Sequence, residues 1–291
     1  LKNQRGGVGG NIAYNLALLG VPSALVGAVG GDFGPYRAVM ERLGVDMSNI
    51  AEFESDFTST SFMNSDLAGN QIAAFYPGAG AHSDELDVTE QANHAVYGLV
   101  GAAAPEAMRK HAAEIAGSHA KLIYDPSQQI VVLPGDDLAA GIEIAEIVVG
   151  NDYEFGMIER KTGLTLDDIT AKVPFVAVTY GERGSELRTG GERVAIPAAP
   201  PVAVKDPTGG GDAYRAGLIK GLLLGDDLPI AGRIAALAAT YAIEQHGTQE
   251  HTYTPVEFIG RFDAAFPDFA GALPVSQFSE SVSLTTQGAP R

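Results

Sequence analysis

Apolar residues recur along the chain with two different periods, and the switching between them predicts the order of elements. Short aliphatic runs at Ser23–Val29, Ala95–Val100, Lys121–Tyr124, Ile147–Val149 and Phe175–Thr179 read as buried strands. Between them, Tyr36–Leu43, Pro105–Ala116, Asp136–Ile144 and Tyr153–Lys161 carry apolar positions at helical spacing. Strand and helix alternating at this spacing predict an α/β fold, a parallel sheet with helices on both faces. Two segments depart from the alternation. Thr58–Asn64 and Gln71–Tyr76, rich in threonine, serine and aromatics and separated by Asp66-Leu-Ala-Gly-Asn70, read as a hairpin, and so do Glu186–Thr189 and Arg193–Ile196. A last strand, Val202–Val204, is expected to feed a glycine turn, followed by helices Ala213–Leu224, Ile230–Gln245 and Pro255–Phe266. The tail after Phe278, rich in Ser, Thr, Gln and Gly, is expected to pack loosely, and no internal repeat is visible.

Composition narrows the class. A chain of 291 residues can bury one large core, or a core with a small appendage, and 36 glycines suit a turn-rich protein. With no cysteine there are no disulfides and no thiolate metal sites, and the six histidines are scattered without zinc-site spacing. The formal charge of −17 disfavours a nucleic-acid partner, since phosphate contact needs a basic surface. The longest apolar helical stretch, Ile234–Ile243, is too short and alanine-rich to span a bilayer, and no signal peptide is visible, so a cytoplasmic enzyme is expected.

Two glycine clusters carry the chemistry. Gly209, Gly210 and Gly211 stand between an extended segment and a helical pattern, with Asp212 directly behind. Such a turn aims backbone N–H groups at one spot, reinforced by the helix dipole, and suits a phosphate or a developing oxyanion. Asp212 is then either a helix N-cap or a general base that takes a proton from a hydroxyl. The second cluster, Gly6-Gly-Val-Gly-Gly-Asn11, precedes a helix with Ile12, Leu16 and Leu19 on its apolar face. It reads either as a capped turn or as a close-approach site with Asn11 as its hydrogen-bonding arm. Neither cluster is a dinucleotide fingerprint, because Ile12 stands where the third glycine is required, and without a Gly-Lys dipeptide there is no Walker-type loop. Asp125, Asn151, Gly181 and the Gly209–Asp212 turn each follow an expected strand, so they can share one edge of the sheet.

Five ordered blocks now resemble the ribokinase/PfkB family of sugar and nucleoside kinases: Gly6-Gly-Val-Gly-Gly-Asn-Ile-Ala13, Val26-Gly-Ala-Val-Gly-Gly-Asp-Phe-Gly34 with Leu43-Gly-Val45, Asn151-Asp-Tyr-Glu154, Val178-Thr-Tyr-Gly-Glu-Arg-Gly184 and Asp206-Pro-Thr-Gly-Gly-Gly-Asp212. Together they cover nearly the whole chain. The resemblance implies a single ribokinase-like domain over residues 1–291, a three-layer α/β/α arrangement with a mainly parallel central sheet. It also implies a β-sheet lid from about 57–77, to which N-terminal residues expected to precede Gly6, and absent from this sequence, would add. It implies ATP and Mg²⁺, with K⁺ as a further ion, and phosphoryl transfer to a primary hydroxyl. Asp212 would be the base and Gly209, Gly210 and Gly211 the anion hole. Gly7, Asn11 and Asp212 would meet the acceptor. Asn151, Thr179, Gly181, Gly184, Gly211 and Gly247 would meet ATP. Glu154, with Asn151 on the same helical face, would organise Mg²⁺ through water, unless the pair is only an Asn cap with an exposed Glu. Asp206, Thr208 and Gly247 would hold the monovalent cation. Arg183 and Arg215 read either as phosphate contacts or as exposed surface arginines, and Asp125-Pro-Ser-Gln-Gln only loosely matches the Asp-Pro-Asn-x-Arg of sugar-specific relatives.

Three readings compete. A kinase of a nucleoside such as adenosine is first, supported by Phe62, Phe75 and Tyr76 on the lid hairpin, where an aromatic face could stack on a base. A kinase of a free sugar such as ribose or fructose is second. The third is a catalytically silent ligand-binding protein, which has no chemical reason to retain Asp212, its glycines and the Asn-x-x-Glu together. The lid could also pair two copies as a homodimer.

Overall fold

The computed structural model describes residues 3–65, 71–225 and 227–278. Helix α1 (Val8–Leu18) leads into strand β1 (Gly27–Gly30), helix α2 (Gly34–Arg42) and strand β2 (Ile50–Phe53). β1 and β2 pair in parallel as a small sheet of their own. The strand expected over Ser23–Val29 is therefore shorter and lies outside the central sheet, and upstream only an isolated bridge between Ala24 and Asp46 continues it. Strands β3 (Thr60–Ser65) and β4 (Gln71–Tyr76) form the expected hairpin, a separate antiparallel sheet. Its turn at 66–70 and the tail after Phe278 lie outside the described residues.

The alternating body follows: α3 (Thr89–Asn93), β5 (Tyr97–Val100), α4 (Pro105–Ala116), β6 (Lys121–Tyr124), α5 (Gly135–Glu143), β7 (Ile147–Asn151), α6 (Asp152–Thr162), α7 (Leu166–Lys172), β8 (Phe175–Thr179), β9 (Ser185–Thr189), β10 (Arg193–Ile196), α8 (Gly210–Leu224), α9 (Leu228–Ile243) and α10 (Pro255–Ala265). Strands β5 to β8 run parallel, and the β9–β10 hairpin adds two antiparallel strands at one edge, in the order β10-β9-β8-β7-β6-β5. The period of two along each strand sorts its side chains between two cores. Ile123, Ile147, Val149, Phe175 and Ala177 pack with residues of α1, α8, α9 and α10. Leu122, Tyr124, Val148, Val176 and Val178 pack with residues of α4, α5, α6 and α7. This is the three-layer α/β/α arrangement.

One helix pair sets the position of the glycine turn. A Cβ on Gly217 would lie 2.6 Å from Ala235 Cα, and one on Gly221 would lie 2.3 Å from Ala231 Cα. Backbone-to-backbone contact of this kind brings α8 tight against α9 and fixes where α8 begins. The strand expected at Val202–Val204 does not form. Val202 is 89% exposed, its N–H is taken by the Glu244 side chain (2.6 Å), and Lys205 N donates to the end of α9 at Ile243 O (2.9 Å). Following Pro200 and Pro201, the segment has no ladder partner and runs as an irregular strap into the turn.

Candidate active site

Because β6, β7 and β8 are parallel, their carboxyl ends share one edge of the sheet. Asp125 follows β6, Asn151 ends β7 and Thr179 ends β8, with Asn151 and Thr179 directly paired. Gly181 follows on the same edge. The first turns of α8 reach this edge through Tyr214, whose Oη donates to Ser185 Oγ at 2.8 Å, and through Arg215. Arg215, one turn into α8, is buried, and its Nη2 donates to Asp125 Oδ1 at 2.6 Å while lying 3.8 Å from Glu154 Oε2. Sequence reading favoured a surface position for Arg215. The structure corrects this, because α8 is packed on nearly every side and Asp125, wholly buried, needs a cation. Burial alone would lower the Arg215 pKa, but the charge and hydrogen bond of Asp125 and the charges of Asp212 and Glu154 carry it above its ordinary value.

The glycine turn differs in detail from three converging donors. Gly209, at φ +84°, is the N-cap of α8, and Asp212 falls in the first helical turn. The capping reading of Asp212 is thereby set aside. Gly210 N donates to Pro207 O at 3.2 Å, so that N–H closes the turn. Among the described residues, no acceptor takes the N–H groups of Gly209, Gly211 and Asp212. A Cβ on Gly210 would meet Ile243 Cγ2 at 2.7 Å, and one on Gly211 would meet Arg215 Nη1 at 2.7 Å. The Arg215 guanidinium thus lies against the turn from the protein side.

Asp212 is half-buried, and its Oδ2 accepts from Asn11 Nδ2 at 2.7 Å. Burial pushes its carboxyl up to about 6, against the Asn11 hydrogen bond and the Arg215 charge, and with the like charges of Asp125 and Glu154. Asn11 itself is buried, and Thr248 Oγ1 (2.8 Å) and Gln249 Nε2 (3.0 Å) converge on its Oδ1. The amide that sequence reading aimed at the acceptor is largely spent inside the protein. Gly7, by contrast, is exposed at φ +91° and caps α1.

Asn151 and Glu154 form a reciprocal capping box on α6: Glu154 N to Asn151 Oδ1 and Asn151 N to Glu154 Oε2, both 2.8 Å. Glu154 is not the exposed partner of a plain cap. Burial raises its pKa, opposed by the Asn151 N–H and Arg215. On the other side of the turn, Asp206 Oδ1 accepts from Thr208 N (2.9 Å) and Oδ2 from Gly247 N (3.2 Å). Burial alone would raise its carboxyl, but the hydrogen bonds from Thr208 and Gly247 hold it below the usual range. Gly184, at φ +89°, would drive a Cβ to 2.1 Å from Ile196 O, and so shapes the turn after β8. Arg183 is exposed and pairs with Asp152 at 2.6 Å.

Comparison with known proteins decides what this constellation belongs to. Residues 1–255 match the pfkB family carbohydrate kinase model. The chain belongs to the pfkB carbohydrate kinase family. It is accordingly an ATP-dependent kinase. The pfkB chain is 32% identical over 268 residues to a nucleoside kinase of Methanothermobacter thermautotrophicus, covering 91% of this chain and 86% of that one. Its fold is similar to the Burkholderia thailandensis nucleoside kinase solved in complex with inosine (TM-score 0.87, 35% identity, 90% and 88% of the two chains). It is also similar to the Methanocaldococcus jannaschii nucleoside kinase structure (TM-score 0.84, 29% identity, 90% and 88% covered).

Sequence reading of this pfkB kinase missed the interior wiring. Thr248, Gln249 and Tyr36 were given no role, although Thr248 and Gln249 brace Asn11, with Tyr36 behind Gln249, and Asn11 in turn holds Asp212. The signal available was the run His246-Gly-Thr-Gln-Glu-His251, polar and yet placed between two apolar helices. Among the described residues, no group of three or more His, Asp or Glu has metal-binding geometry. No described helix is long and apolar enough to cross a membrane.

Proposed function

We propose that this kinase transfers the γ-phosphoryl of ATP to the primary hydroxyl of a purine nucleoside such as adenosine or inosine. One observation carries the reading: a carboxylate with its pKa lifted to about 6 sits in the first turn of α8, beside open N–H groups and in front of a buried arginine. Kinases of this chemistry act by positioning and charge stabilisation more than by covalent steps. Asp212 Oδ2 is held by Asn11, which leaves Oδ1 for the acceptor's hydroxyl. As the hydroxyl oxygen bonds to the γ-phosphorus and the bond to the β-phosphate oxygen breaks, ADP leaves and Asp212 takes the proton. The N–H groups of Gly209, Gly211 and Asp212, with the dipole of α8 and the Arg215 charge behind them, stabilise the phosphoryl oxygens. Gly7 would admit the acceptor closely, and Asn151, Thr179, Gly181, Gly184 and Gly247 would border the nucleotide.

Three carboxylates, Asp125, Glu154 and Asp212, interact with one arginine, so the cluster carries excess negative charge. The donor set suits an Mg²⁺ that arrives with the nucleotide and keeps its waters, with Glu154 as an outer partner, rather than a protein cage. Mg²⁺ when bound would neutralise phosphate charge. Asp206, with the carbonyls of Thr208 and Gly247, would hold K⁺ beside the turn. The enzyme would work in the cytoplasm, where ATP is available, as one domain with its β3–β4 lid, and two lids could pair.

Support for a nucleoside over a free sugar comes from the relatives' names and from exposed lid aromatics, Phe62 at 55% and Phe75 at 67%. ³¹P NMR of a reaction with ATP, Mg²⁺ and inosine or adenosine should show ADP and a nucleoside 5′-monophosphate. No phosphorylated product from either nucleoside would refute the substrate assignment.

A further inference from the structure

A chain of hydrogen bonds runs from the backbone of the first glycine cluster to the proposed base, and its direction is set at the far end. The Gly6 carbonyl can only accept, and Tyr36 Oη donates to it at 2.8 Å. The Tyr36 oxygen must then accept, which it does from Gln249 Nε2. The second hydrogen of that amide goes to Asn11 Oδ1 at 3.0 Å. With its oxygen so occupied, Asn11 presents its NH₂ to Asp212 Oδ2 at 2.7 Å. Gln249 is 2% exposed, and its Oε1 has no partner among the described residues. An amide buried with its acceptor unsatisfied is costly, and the cost is consistent with Nε2 being required on the inward side. Thr248 Oγ1 adds a second donor within reach of Asn11 Oδ1, sharing its one hydrogen with Arg5 O at 3.1 Å.

We propose that Gln249, anchored through Tyr36 on the Gly6 carbonyl, is a positioning residue that fixes the orientation of the Asn11 amide and so keeps a donor, not an acceptor, against Asp212. The inference rests on Asp212 being the base. An asparagine amide is nearly symmetric in shape and antisymmetric in polarity. Turned over, it would place Oδ1 against a carboxylate oxygen, which is tolerable only when Asp212 carries a proton. Orientation of Asn11 and ionisation of Asp212 are therefore coupled, and Gln249 biases the pair toward the ionised, proton-accepting form. The other groups facing Asp212 are Arg215 on its own helix, Asp125 after β6, Glu154 on α6 and Tyr36 on α2. None of them contacts the Asn11 amide oxygen.

The test is the pH dependence of kcat/KM with ATP and inosine. Gln249→Leu should move the acid limb upward by about one pH unit, since Asp212 loses its fixed donor. Tyr36→Phe, which removes the oxygen that takes one Gln249 Nε2 hydrogen, should move it in the same direction, and the double variant should move it no further than the larger single change. Thermal melts establish that each variant is folded. If Gln249→Leu does not fold, Tyr36→Phe carries the test alone. An unshifted limb in a folded variant, or additive shifts, overturns the inference. The base assignment is separated by Asp212→Asn: if that variant retains activity, the base reading fails, whereas a dead Asp212→Asn beside an unshifted Gln249→Leu rejects only the role of Gln249.

Discussion

Asp212 combines two demands that oppose each other in water. It must be ionised to accept a proton and basic enough to hold one, and a pKa of about 6 meets both near neutrality. Activity should rise with pH up to about 6 and then level, because the raised pKa makes protonation, not deprotonation, the inactivating event on the acid side. Asp212→Asn should reduce kcat by roughly 10²–10⁴ with ATP binding preserved, as calorimetry can check. A loss below tenfold would remove Asp212 from the base role. Arg215→Met leaves Asp125 buried and unpaired, and should cost about 3–5 kcal/mol in denaturant unfolding. Asp212, its glycines and Asn151 were legible at this scale because their spacing is local. Asp125 was placed on the right edge, but its pairing with Arg215 was not legible: they lie 90 positions apart, and nothing near either residue reveals that they meet in the interior.

Among elements, helices with an evident start were read most closely. Pro105–Ala116 coincides at both ends, since proline at the first helical position leaves little choice. Helix α7 was overlooked although Thr165 and Asp168 form a capping box that the sequence Thr-x-x-Asp announces. Strand β2 is four residues with no alternation, and it pairs only with β1, so pattern gave it no weight. The expected Val202–Val204 strand failed for the opposite reason: its apolar residues look buried and are not, because the strap is held by side chains and helix ends. At the glycine turn, Gly210→Val would press against Ile243 and distort the start of α8. Near-complete loss of turnover is expected, and normal turnover in a folded variant would move the anion site elsewhere. In the α8–α9 contact, Gly221→Val should lower stability by about 1–3 kcal/mol, read as a lower Tm, with overpacking as the cause.

At the scale of the whole molecule, strand–helix alternation made the layered sheet readable from sequence, and the antiparallel β9–β10 edge came with its hairpin. The geometry of the β3–β4 hairpin was less accessible, because which face an aromatic takes depends on register. Phe62 lies opposite Ala74 and Phe75 opposite Ser61, so Phe62 and Phe75 project from opposite faces of the β3–β4 sheet, with Tyr76 on the Phe62 side. A base stacked on this sheet would meet only one of the two faces. Of Phe62→Ala and Phe75→Ala, only one should therefore raise the KM for a nucleoside, and equal effects from both would exclude base stacking by the lid. The central claim is that a nucleoside is the phosphate acceptor. Steady-state kcat/KM for inosine, adenosine, ribose and fructose at saturating ATP and Mg²⁺ tests it most directly. A nucleoside should exceed both free sugars by at least about tenfold, since burying and stacking a base adds more than ~1.4 kcal/mol of transition-state binding. Equal or better use of ribose or fructose would contradict the account and make the protein a free-sugar kinase.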